Sequence, residues 1–103
     1  MANIVADNID VVIRTARNGT ARTITFKDLT GVSYIQGIEI HNAEDPTTVT
    51  IPARVSFNRD DNAVGTKYRT IRPGGSYAVD ARIRNIVIIG VGGDADLEIS
   101  FVW

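Results

Sequence analysis

Over much of the chain, apolar and polar side chains alternate with a two-residue period, the pattern of strands with one dry face and one wet face. From Ala95 to Trp103, the odd positions Ala95, Leu97, Ile99, Phe101 and Trp103 are apolar, while Asp96, Glu98, Ser100 and Val102 fall between them. Val49, Ile51, Ala53, Val55 and Phe57 alternate with Thr48, Thr50, Pro52, Arg54 and Ser56. Val32, Tyr34, Ile38 and Ile40 share one parity against Ser33, Glu39 and His41, with Gly37 expected at a bulge or bend. Thr66 to Arg72 predicts another strand, with Lys67 and Arg69 opposite Tyr68. After a turn at Pro73-Gly74, expected in type II geometry, Tyr77, Val79, Ala81 and Ile83 share a parity. The run Ile86-Val87-Ile88-Ile89 has no polar face, so both of its sides require cover.

Turn chemistry suggests how these strands connect. Asn18-Gly19 predicts a hairpin of type I′ between Ile9 and Phe26, setting Arg17 opposite Thr20, Ile13 opposite Ile24, Val11 opposite Phe26 and Asp10 opposite Lys27. Gly92-Gly93-Asp94 predicts a second hairpin. A three-residue loop there sets Ile89 opposite Leu97, Val87 opposite Ile99 and Ile83 opposite Trp103, and is preferred to a two-residue loop that would set Arg82 opposite Trp103 and Arg84 opposite Phe101. About seven or eight short strands without sustained helical periodicity predict an all-β fold. The doubly apolar run calls for two packed sheets. The expected architecture is one antiparallel two-sheet β-sandwich domain over residues 1–103, jelly-roll or immunoglobulin-like, with a small barrel as the alternative.

Composition narrows the function more than the fold. Eleven Lys and Arg against twelve Asp and Glu give no electrostatic basis for nucleic-acid or anionic-membrane binding, so neither partner is expected. The absence of cysteine removes disulfides and thiolate chemistry, and one histidine cannot supply a histidine metal cluster. Met1–Asp7 carries no basic-then-apolar export pattern, and no run approaches the ~20 apolar residues of a membrane helix. The expectation is a soluble protein made without an export signal.

Candidate chemistry is sparse. Asp60, Asp61 and Asn62 offer oxygen ligands but lack calcium-loop spacing and have Arg59 among them, so Asn58–Gly65 is expected to be a solvated loop. Gly74-Gly75-Ser76 is no nucleophile elbow, and Gly90-Val91-Gly92-Gly93 lacks the lysine and following helix of a phosphate loop. His41, on the polar side of its strand, has no neighbour in sequence that would activate it. Lys67, Arg69, Arg82 and Arg84 are expected on a charged outer face. No enzyme activity and no cofactor are expected.

What the pattern favours is association. Pro52 cannot donate to a ladder and implies an open edge or a bulge, Ile86 and Ile88 belong to the run needing double cover, and Phe101 and Trp103 end the chain in aromatics. The candidate interface is therefore Pro52, Ile86, Ile88, Phe101 and Trp103. The segments Ile71-Arg72-Pro73-Gly74-Gly75-Ser76-Tyr77 and Ile86-Val87-Ile88-Ile89-Gly90, with the terminal strand, resemble the closing half of small β-sandwich virion proteins of tailed bacteriophages, including capsid decoration or cement proteins. That resemblance implies a non-enzymatic virion component made in the host cytoplasm. It further implies a homo-oligomer, trimeric or otherwise symmetric, that docks on a larger protein assembly such as a capsid. The rival expectation is a carbohydrate-binding β-sandwich module presenting Tyr34, Tyr68, Tyr77 and Trp103.

Overall fold

The computed structural model describes residues 8–103; Met1–Asp7, in which the sequence shows no export pattern, lie outside the described residues. Eight strands and one short helix follow in the order β1 (Ile9–Ala16), β2 (Arg22–Thr25), α1 (Phe26–Thr30), β3 (Gly37–Asn42), β4 (Ala53–Phe57), β5 (Arg69–Ile71), β6 (Ser76–Val79), β7 (Asn85–Gly90) and β8 (Ala95–Val102). They form two antiparallel four-stranded sheets, β1-β8-β3-β6 and β2-β7-β4-β5. The chain changes sheet at every connection except β4 to β5, which gives a jelly roll, one of the two expected sandwich types.

Sheet-changing connections correct both expected hairpins. Arg17 does face Thr20, and Gly19 takes a positive φ of 68°, but Asn18 does not, so the turn is not type I′. Its arms separate: β1 joins β8 in one sheet and β2 joins β7 in the other, so Ile13 faces Glu98 and Ile24 faces Ile86. Likewise β7 and β8 lie in different sheets, and neither loop length considered at Gly92-Gly93 produces a hairpin. A tight meeting of backbones at Gly90 fixes this corner. Its N–H donates to the Arg17 carbonyl (2.8 Å), and a Cβ there would come within 2.6 Å of the Ala16 carbonyl oxygen. Cross-links between the two glycine loops hold the corner further. The Asn18 N–H donates to Asp94 Oδ1 (2.8 Å), and Gly92 N–H donates to Asn18 Oδ1 (3.2 Å).

Other turns behave as their residues dictate. Gly74 takes φ 77° in the third position of Arg72–Gly75, and Gly75 N–H donates to the Arg72 carbonyl (2.8 Å), as a type II turn requires. At the start of β3, Gln36 N–H donates to the Val102 carbonyl (2.8 Å) although Gly37 is the residue in register with Val102. This extra residue is the bulge expected near Gly37, and it shifts the parity: Ile35 is buried with Ile38 and Ile40, while Val32 and Tyr34, expected inside, are exposed. Phe26 opens α1 instead of ending a strand; Gly31, at φ 81°, closes the helix with a bond to the Lys27 carbonyl (2.9 Å).

Between the sheets lie Phe26, Ile35, Ile38, Ile40, Ile86, Ile88, Leu97, Ile99 and Phe101, with the two phenylalanine rings 5.0 Å apart. The predicted alternation of β8 holds, its odd positions being buried. Burying a side chain of this size stabilises the fold by roughly 1.5–3 kcal/mol, which is what keeps the isoleucine-rich layer dry. Asn42, the last residue of β3, is fully buried. Its amide donates to the carbonyls of Ile51 (3.2 Å) and Ile71 (3.0 Å), and its oxygen accepts from Glu44 N–H (3.2 Å). A buried amide is tolerable there because both of its ends have partners.

Candidate interaction surface

β7 has the double burial that its composition demanded. Ile86 and Ile88 point between the sheets, and Val87, on the opposite face, is also 0% exposed. Cover on that second face comes from the chain itself. Loop 58–65 is tied across β2 and β7: Thr23 Oγ1 donates to Asn62 Oδ1 (2.6 Å), the Asn62 amide donates to the Ala21 carbonyl (3.3 Å), and Asn85 exchanges two bonds with the Arg59 backbone (2.9 and 3.0 Å). Val64 is the loop's buried apolar side chain, and it lies outside the main core.

The same loop's acidic groups are engaged by arginines. Arg59 bonds both oxygens of Asp61 (3.0 Å each), and Arg84 reaches Asp60 (2.7 Å). The Arg59 guanidinium, donating to Asp61, holds that carboxyl below its usual range. Among the described residues no group of three or more His, Cys, Asp or Glu is placed to hold a metal. Of the four basic residues expected on one face, Lys67 and Arg69 share a groove with Tyr77, whose ring centre lies 5.2 Å from Arg69, while Arg84 pairs with Asp60 and Arg82 precedes β7 beside Tyr34 and Asp80. His41 Nδ1 meets the Gly75 carbonyl (3.1 Å) and the Ser76 hydroxyl (2.9 Å), both groups of the turn into β6.

Of the five residues expected at an interface, three are buried and Pro52 and Trp103 are partly exposed. Ile86, Ile88 and Phe101 lie inside this chain's own core, so their side chains offer a partner no surface. Pro52 sits just ahead of β4, an interior strand paired on both sides, and its carbonyl accepts from Val91 N–H (3.0 Å); it marks where pairing begins, not an open edge. Trp103 is half-buried against the core, and its indole N–H donates to Asp10 Oδ2 (2.8 Å), which ties down the terminal aromatic within the chain.

A row of exposed apolar side chains lies on β1. Ile9, Val11 and Ile13 are 74, 59 and 62% exposed and share the outer face of a strand that ends its sheet. The expected hairpin pairs Val11 with Phe26 and Ile13 with Ile24; in the structure they face Ser100 and Glu98 of β8. Val11 and Ile13 face outward because Ala16, pinned at the Gly90 corner, and Val12 occupy the other set of positions and pack on the core. Backbone geometry adds a second feature. Asn8 and Trp103 exchange both of their backbone bonds (3.1 and 3.0 Å), so in the register Ile9 to Val102 the even residues of β1 bond β8. The N–H and C=O groups of Ile9, Val11, Ile13 and Thr15 therefore point away from the sheet, and among the described residues no strand pairs with them. Stripe and edge are made by the same residues.

Among the described residues, no helix is long and apolar enough to cross a membrane. Two sheets in jelly-roll order define the class, a β-sandwich of the kind shared by cupins and unrelated structural proteins. No family model matches the chain, and no curated sequence does. Solved structures do match in fold. A cupin superfamily protein from Desulfitobacterium hafniense is 11% identical, with 99% of this chain and 73% of that one covered and a TM-score of 0.56. A protein of unknown function from Streptococcus pyogenes is 7% identical at a TM-score of 0.56, over 91% of this chain; the chain spans only 63% of its length. A structure of Bacillus endospore appendages, described as disulfide-linked pili, is 20% identical, with 92% of this chain and 85% of that one covered and a TM-score of 0.53. At these identities the likeness is one of fold alone.

Proposed function

We propose that the protein is a non-enzymatic structural subunit that self-associates and takes its place in a larger protein assembly. The observation that carries this reading is the row Ile9, Val11 and Ile13, exposed along a strand with an open edge. Contiguous exposed hydrocarbon on a sheet edge is a site of association unless something covers it. The interior supports the same reading, since the space between the sheets is filled by isoleucine, leucine and phenylalanine side chains and offers reacting groups no seat. A pilus among the structures of similar fold supports it too, with one difference. This chain has no cysteine, so the assembly proposed here is held without disulfides. Its finer form, a capsid decoration or cement protein of a tailed-phage virion, rests on the resemblance carried by residues 71–77 and 86–90. Light scattering across a concentration series tests the coarser reading. A mass that rises above 11.2 kDa is expected, and a monomer at every concentration overturns it.

A second reading, a carbohydrate-binding module, has one observation in its favour. Tyr34 is 50% exposed and shares an open groove with Gln36, Asp80 and Arg82, an aromatic face beside hydrogen-bonding groups. Binding on a glycan array that Tyr34→Ala abolishes would favour it over assembly; an array without signal removes it.

A further inference from the structure

The partner that fits the β1 edge is a second copy of the same edge. Building on the assembly reading above, we infer that two chains pair antiparallel through β1 about a two-fold axis at Val12. The two four-stranded sheets then run on as one of eight strands.

Three observations select this register. The outward-pointing backbone groups belong to odd residues, so the hydrogen-bonded pairs across the axis join odd to odd. That condition leaves a short series of registers, which the charges of β1 separate. Centring the axis on Asp10 sets two carboxylates face to face, and centring it on Arg14 does the same for two guanidinium groups. Centring on Val11 or Ile13 puts Asp10 or Arg14, respectively, opposite Val12. Centring on Val12 sets Asp10 opposite Arg14 of the other copy, twice, with Val11 opposite Ile13 and Ile9 opposite Thr15 on the outer face. Among the described residues neither Asp10 nor Arg14 forms an ion pair within its own chain. Asp10 Oδ2 takes the Trp103 indole, which leaves Oδ1 for the incoming guanidinium. Arg14 Nη1 rests on the Ile13 carbonyl (2.9 Å), one of the edge groups that strand pairing requires. Moving that guanidinium to the opposite Asp10 frees the carbonyl for the Val11 N–H of the second copy, so ion pair and ladder form together.

No other edge strand offers as much. β2, β5 and β6 have four, three and four residues against eight for β1, and short edges limit strand addition. Pairing of seven residues along an edge lies at the small end of specific interfaces, below about 1,200 Å², so a reversible, concentration-dependent dimer is expected.

The test is sedimentation equilibrium of the full chain and four variants, with circular dichroism confirming that each is folded. The wild type is expected to dimerise and Val11→Lys to stay monomeric. Asp10→Arg and Arg14→Asp are each expected to weaken the dimer about tenfold or more, and the double variant Asp10→Arg with Arg14→Asp to return to within about threefold of wild type. That rescue belongs to this register alone; coverage of the edge by Met1–Asp7 or by an unrelated protein does not produce it. Double-variant dimers no tighter than the single variants overturn the register. Self-association undiminished by Val11→Lys overturns the β1 edge while leaving assembly through another surface standing, and a monomeric wild type overturns both.

Discussion

β7 and β1 pose the same physical problem and solve it differently. Each presents apolar side chains on the outer face of its sheet. On β7 that face is roofed by loop 58–65, anchored through Asn62 to Thr23 and through Arg59 to Asn85, and Val87 is fully buried. On β1 none of the described residues covers Ile9, Val11 or Ile13. The loop over β7 is the most polar stretch of the chain, yet its hydrogen bonds to β2 and β7 are what hold its one buried valine in place. An apolar outer position therefore signals a partner only where the chain supplies no cover of its own.

Substitutions sharpen the contrast. Ile88→Ala opens a hole in the layer between the sheets and is expected to lower stability by ~2–5 kcal/mol in urea unfolding. Ile13→Ala, a deletion of the same size on the other strand, is expected to change monomer stability by no more than ~0.5 kcal/mol. Val87→Asp places a carboxylate beneath the loop and is expected to cost ~3 kcal/mol, whereas Val11→Asp leaves the fold intact. Asn62→Ala removes the loop's bonds to Thr23 and Ala21, with an expected loss of ~1 kcal/mol and faster hydrogen exchange in β2. The smallest effect is at Asp61, whose folded-state pKa is lowered by the Arg59 hydrogen bonds. Its contribution is present above the ordinary aspartate range and is lost as pH falls through the lowered value, so Asp61→Asn should flatten the acid limb of the stability curve.

Much of the fold was legible in the two-residue period, because strands buried on one face leave that mark directly. The alternation of β8, the doubly buried β7, the bulge at Gly37 and the type II turn at Pro73-Gly74 all follow from local chemistry. Pairing partners did not. Asn18-Gly19 and Gly92-Gly93 have hairpin chemistry, but the approach of Gly90 to Ala16 and Arg17 turns both segments into corners between sheets, and no local window contains that contact. Which face β1 turns outward was not legible for the same reason. Hydrophobicity alone favours Ile9, Val11 and Ile13 inside, while the position of Ala16 at the corner sends them out. Asn42 was missed because its burial depends on the Ile51 and Ile71 carbonyls, distant in sequence. The available signal for the candidate surface was an alternating apolar strand whose opposite face also carries charge, Asp10 and Arg14, an arrangement suited to the rim of a sandwich.

The most direct measurement is residue-resolved amide exchange by NMR over a wide range of protein concentration. The account predicts that the Val12 and Arg14 amides, bonded to β8, are protected throughout. Those of Val11 and Ile13 should exchange freely in dilute solution and gain protection together as concentration rises. Val11 and Ile13 amides that exchange freely at every concentration would contradict it.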